Sequence, residues 1–249
     1  MKMYAMTDVG CKRSSNQDSF CCSAARNQAE FLVLCDGMGG HRGGNLAAEI
    51  AVRAFHEELS YRITPDLHLK DLKSILGGII ARVSVLIADA AKQSEYSGMG
   101  STVVLAVRSG KKLCIAHVGD SRAYLFRDGT LRRLTKDHSL VQNLIDKGEI
   151  SPEEGESHPH RNVITRSLGY ADDSEPEILM SDLRPGDVYL LCTDGLTVSV
   201  KDDRLQEILR TTAPEDLASV LVARALENGC PDNVTVGILA EEAKEAKKE

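Results

Sequence analysis

The chain has 249 residues, a formal net charge of −7 and 42% apolar residues, with seven cysteines and no tryptophan. The apolar share is enough for a sizeable core and excludes a disordered chain, and the acidic balance argues against general nucleic-acid binding. No run approaches the ~18 apolar residues of a membrane span, because Arg82 and Ser84 interrupt the longest, Ile79 to Ala88; the first residues lack an apolar signal core, and the odd cysteine count without a CxxC pair points to free thiols in a reducing, cytoplasmic compartment.

Short strand-like runs open the chain at Tyr4 to Val9, Ser19 to Ala24 and Phe31 to Cys35. A glycine-rich break follows, and Leu46, Ile50 and Ala54 then recur at helical spacing over 45–59. A second helix is predicted over 67–93, with Gly77-Gly78 as a candidate kink. Strands at Ser101 to Arg108, Lys111 to Val118 and Ser121 to Arg127 are joined by Ser109-Gly110 and Asp128-Gly129, which suit tight hairpin turns. Residues 139–160 are polar, acid-rich and partly helical, and read as a surface flap. Strands at Glu177 to Asp182 and Asp187 to Thr193 flank Arg184-Pro185-Gly186. Helices over 203–211 and 214–227 precede a last strand, Asn233 to Ala240, and residues 241–249 form a charged tail. No linker or repeat divides the chain, so one α+β domain over 1–240 with antiparallel strands and two helical pairs is expected.

Four aspartates stand where apolar runs meet glycine, serine or asparagine: Asp36-Gly37-Met38-Gly39-Gly40, Gly119-Asp120-Ser121-Arg122, Thr193-Asp194-Gly195 and Asp232-Asn233. Carboxylates converging from strand ends suit hard divalent cations such as Mn2+ or Mg2+. Asp36 fits a bridging role, since Gly37 lets backbone come close and offers its carbonyl as a further ligand. Two such ions acidify water for in-line attack on phosphorus. Other phosphate chemistries lack their residues: Gly110-Lys111 is not followed by serine or threonine, no cysteine has arginine at the phosphatase spacing, no Asp-x-Asp exists and no His-Arg-Asp exists.

Taken in order, Arg13…Asn16-Gln17-Asp18, the Asp36 motif through His41, Gly100-Ser101-Thr102, Gly119-Asp120-Ser121-Arg122, Thr135-Lys136-Asp137-His138-Ser139, Asn162-Val163-Ile164-Thr165-Arg166, Thr193-Asp194-Gly195 and Asp232-Asn233 resemble the bacterial metal-dependent Ser/Thr protein phosphatases, the PPM or type-2C class. The resemblance spans Thr7 to Leu239. It implies a four-layer αββα fold, a central antiparallel β-sandwich flanked by helical pairs, with the metals in a cleft at one end. It implies that Asp36, the Gly37 carbonyl, Asp194 and Asp232 hold two ions, that Asp120 and Asp194 hold a third, that Arg13 grips the substrate phosphate, and that Asp18 positions the attacking water. Residues 139–162 become the flap beside the cleft. Phosphorylated proteins, Ser/Thr kinases and their substrates are the implied partners of a monomeric enzyme with no nucleic-acid or membrane partner.

Two departures bear on mechanism. Many eukaryotic members have glutamate where this chain has Gln17, and histidine where it has Met38, so no general acid is assigned; His41, three residues on, is no automatic substitute and is read as a cap of the helix after the glycine break. His117 reads as a satisfied core histidine and His138 as structural; Arg122 is expected to pair with a local acid. Two rival functions share the resemblance: a phosphatase dedicated to one regulator of the anti-sigma-antagonist type, and a catalytically silent metal-binding module. Retention of all four aspartates favours an enzyme.

Overall fold

The apolar run from Phe31 becomes a strand buried on both faces, and its alternation sets the layers. The computed structural model describes residues 1–23, 30–64, 67, 69–170 and 174–242, except for the side chains of residues 41, 42 and 69. In chain order the elements are β1 (Lys2–Asp8), β2 (Asp18–Ser23), β3 (Phe31–Met38), α1 (Gly40–Arg62), α2 (Leu69–Ala90), β4 (Gly100–Ser101), β5 (Val103–Ser109), β6 (Lys112–Val118), β7 (Arg122–Arg127) and β8 (Thr130–Arg133). There follow α3 (Leu140–Asp146), α4 (Pro152–Glu156), β9 (Glu177–Asp182), β10 (Val188–Cys192), α5 (Asp194–Ser199), α6 (Asp202–Thr211), α7 (Leu217–Glu227) and β11 (Val234–Ala240).

One sheet runs β1-β11-β10-β7-β8 and the other β2-β3-β5-β6-β9, with β4 added to β3. All named pairings are antiparallel. Phe31, Val33 and Cys35 pack with α1 and α2, whereas Leu32 and Leu34 pack against Tyr189, Leu191 and Leu239 of the opposite sheet. The outer face of that sheet, through Leu190, Cys192, Val236 and Ile238, is covered by Leu196, Leu205, Leu221 and Val222 of α5, α6 and α7. Three apolar layers between four layers of structure give the expected αββα sandwich, and the period-2 alternation of the inner strands is its cause.

Several boundaries differ from expectation. Asp36, Gly37 and Met38 end β3 rather than following it. The Gly77-Gly78 pair lies inside one continuous helix. The strand β8 and the six-residue helix α5 were not predicted; β8 alternates between exposed and half-buried positions, and α5 is too short to show a period. Within residues 139–162, Ser139 caps α3 and Ser151 with Glu154 forms a capping box on α4. Of the tail, Glu241 and Glu242 lie within the described residues, and Glu241 pairs with Arg108 at 3.2 Å; the tail expectation otherwise falls outside them. No helix among the described residues is long and apolar enough to cross a membrane.

Candidate active site

Antiparallel connectivity delivers the predicted aspartates to one end of the sandwich. Asp18 begins β2 opposite Asp36 near the end of β3, Asp120 follows the end of β6, Asp194 follows the end of β10, and Asp232 precedes β11. Arg13 lies in the connection between β1 and β2 at the same end, where its Nη2 donates to Asp232 Oδ2 at 2.7 Å.

The close packing of two segments holds Asp36 and Gly37. Asp36 N donates to Thr102 Oγ1 at 3.1 Å and Asp36 O accepts from Thr102 N at 2.8 Å. A Cβ on Gly37 would come within 1.9 Å of Gly44 O, so only glycine lets the end of β3 press against the first turns of α1. Asp18 is buried; its Oδ2 accepts from Thr193 Oγ1 at 2.8 Å and from Thr235 Oγ1 at 2.7 Å. Asn233 locks the neighbouring loop, accepting from Gln17 N at 2.8 Å and donating to Val9 O and Ser15 O at 2.8 and 3.0 Å. The sequence reading gave no role to Thr193, Thr235 or Asn233. Their only signal is adjacency to Asp194 and Asp232, because the atoms they serve are remote in sequence.

The site's electrostatics are those of crowded anions. Asp36 is held well above the ordinary carboxylate range, first by desolvation and then by the charges of Asp18, Asp194, Asp120 and Asp232. Desolvation raises Asp18 to about 7 despite its two threonine donors, and Asp194 and Asp232 push it the same way. Asp120 is raised to about 8 and Asp194 to about 6, again mainly by desolvation. Arg122 opposes both shifts. It pairs through Nη2 with Asp137 Oδ2 at 2.7 Å, as a local-acid partner was expected to do.

These residues fit divalent cations. Asp18 Oδ1, Asp120 Oδ1 and Asp194 Oδ1 are buried and have no hydrogen-bond partner. Buried polar oxygens are costly when unpaired, and hard cations with their bound water would satisfy all three: direct ligation for Asp120 and Asp194, and a hydrogen bond from water for Asp18. Asp232 adds a half-buried carboxylate whose charge acts on Asp18 and Asp194.

Two histidines lie at the edge of this end. His117 was expected to be satisfied within the core; it is fully buried, but neither ring nitrogen has a hydrogen-bond partner. His138 is also buried and stacks on it, with ring centroids 4.5 Å apart. His41, expected as a cap of the helix after the glycine break, lies within α1, whose N-cap is Gly39, and its side chain is outside the described ones.

Comparison with known proteins bears on the whole arrangement. Residues 11–227 match the family described as protein phosphatase 2C. The serine/threonine protein phosphatase PstP of Mycobacterium tuberculosis is 38% identical over 236 residues, covering 95% of this chain and 44% of PstP. The chain thus spans less than half the length of that relative. The Streptococcus agalactiae serine/threonine phosphatase structure has a TM-score of 0.91 at 32% identity, covering 97% of this chain and 99% of the other. The PstP catalytic domain in complex with two manganese ions has a TM-score of 0.81 at 35% identity, covering 95% and 96% of the two chains.

Proposed function

This chain belongs to the protein phosphatase 2C family, and from that premise we propose that it hydrolyses phosphoserine and phosphothreonine in proteins, using Mn2+ or Mg2+. The observation that carries the proposal is the set of three buried, unpartnered oxygens of Asp18, Asp120 and Asp194 beside the guanidinium of Arg13. Asp36, the Gly37 carbonyl, Asp194 and Asp232 would hold two ions, and Asp120 with Asp194 a third. When bound, the ions acidify water and neutralise charge on the phosphoryl oxygens.

The remaining steps belong to the chain itself. Arg13 has a half-exposed side chain, and its pairing with Asp232 occupies one edge of the guanidinium while leaving donors for phosphate oxygens. Asp18 is fixed through Oδ2 by two hydroxyls, which leaves Oδ1 to orient the attacking water. Met38 supplies no proton to the leaving alkoxide, so solvent water fills that role. The manganese ions in the PstP catalytic domain support two ions here, and the serine/threonine protein phosphatases among its relatives support phosphorylated proteins as substrates, among which we place Ser/Thr kinases and their targets. We place the activity in the cytoplasm, the reading that its free thiols favour, and take the enzyme as a monomer.

The test is release of phosphate from a phosphothreonine peptide with manganese, with chelator, and by Asp194→Asn. Chelator and variant should each remove nearly all turnover. Full activity in either case would rule the proposal out.

A further inference from the structure

We propose that His117, His138 and Glu177 form a second metal site, selective for a borderline cation such as Zn2+ and separate from the aspartate centre. It does not depend on the phosphatase reading. His117 on β6 and Glu177 on β9 are direct cross-strand partners, so the register sets their side chains on one face. His138 arrives from the segment between β8 and α3 and stacks on His117.

Glu177 Oε2 lies 3.4 Å from His117 Nε2, and Glu177 Oε1 lies 3.5 Å from His138 Nε2. Each spacing is close to the roughly 3.3–3.4 Å edge of a tetrahedral site with bonds of ~2.0–2.1 Å, and one ligand atom from each of the three residues lies within 4.8 Å of the others, so a rotation of the rings out of their stack gathers both imidazole nitrogens and one carboxylate oxygen round one ion. Neither contact is a formed hydrogen bond: His117 Nδ1 and Nε2 and His138 Nε2 are buried without partners. A metal ion satisfies two of those three nitrogens at once. Both imidazoles are held neutral by desolvation, the form that ligates. Glu177 is half-exposed and lines a cavity of 390 Å³ with Lys136, Asn143, Thr165 and Arg166, which gives the ion an access route and a water its fourth ligand position. Two imidazoles and one carboxylate favour zinc over magnesium, whereas the all-oxygen aspartate set favours magnesium or manganese.

Ligation has a consequence for the neighbouring turn. Gly119 N donates to His138 Nδ1 at 3.2 Å. Binding through Nε2 moves the imidazole proton to Nδ1, which ends that hydrogen bond. Zinc therefore releases one restraint on the turn that carries Asp120.

The test uses the full chain with magnesium in large excess to fill the aspartate centre. Zinc retained after gel filtration is measured by elemental analysis, and cobalt serves as the spectroscopic probe. One equivalent of zinc should stay bound, and cobalt should show the intense visible bands of a four-coordinate site. Glu177→Gln and His117→Asn should weaken retention at least 10-fold, while Asp194→Asn should retain zinc. Glu177 is exposed enough that its variant keeps the fold, which circular dichroism checks. Equal zinc in the wild type and Glu177→Gln, or loss of zinc to magnesium or to Asp194→Asn, would overturn the proposal.

Discussion

Asp18 stands directly opposite Asp36 in the antiparallel pairing of β2 and β3. Cross-strand partners share a face of the sheet at short range, and like charges there destabilise the pair. The sequence places two carboxylates where a sheet tolerates them only if they are protonated or share a cation. The same conflict extends to Asp194 and Asp120 across the cleft end.

That conflict sets the pH dependence of the metal-free protein. Asp18 and Asp120 rise from 3.8 to about 7 and about 8. The native state therefore binds more protons than the unfolded chain between about pH 4 and 8, and its stability falls as pH rises through that window. In chelator the midpoint of thermal unfolding should be higher at pH 5 than at pH 8. Manganese should raise the midpoint more at pH 8, where it competes with fewer protons. A chelated protein that melts higher at pH 8 than at pH 5 would contradict the crowded-anion account.

The hydroxyls on Asp18 should matter as much as the carboxylate. Thr193→Val and Thr235→Val preserve shape and each remove a charge-assisted hydrogen bond, worth roughly 1.5–3 kcal/mol. We expect each to lower kcat by about 10-fold, with a larger loss for the pair. Thr193→Val also leaves Thr235 N without its 2.9 Å acceptor, so it should be the less stable of the two single variants. Unchanged kcat in the double variant would show that Asp18 needs no such fixing.

How much of this was legible differs from residue to residue. Asp36, Asp120, Asp194 and Asp232 could be found because each sits in a short local pattern at the edge of an apolar run, and antiparallel topology then carries strand ends to one place. The strand at Phe31 to Cys35 likewise shows in sequence, as a continuous apolar run, because a strand buried on both faces must be apolar throughout. Thr193 and Thr235 could not be assigned, since their partner Asp18 is 175 and 217 residues away. His117 misled for a related reason: an apolar run reports burial, but not whether a buried ring finds a partner.

Arg13 should act on binding rather than on the chemical step. Its fork already spends one nitrogen on Asp232 at 2.7 Å, so the phosphate meets a pre-oriented guanidinium. Arg13→Ala should raise KM for a phosphopeptide by about 10-fold or more and lower kcat by much less, the pattern of lost ground-state binding. Arg13→Lys should recover little, since an ammonium cannot bridge carboxylate and phosphate together. Steady-state kinetics on one peptide separates these outcomes, and an unchanged KM would remove Arg13 from the phosphate site.

Arg122 should control metal affinity without touching the metals. Its guanidinium lowers the pKa of both Asp120 and Asp194, against desolvation that raises them. Arg122→Met removes that cation while Asp137 keeps Arg133 as a partner, so no buried acid is orphaned. With Arg122 gone, Asp120 and Asp194 hold their protons to higher pH, and an ion must displace those protons to bind. The manganese concentration for half-maximal activity at neutral pH should therefore rise about 10-fold, with the shift shrinking as pH increases. A reduced activity that neither added manganese nor higher pH restores would mean that Arg122 supports the fold rather than the charge of the site.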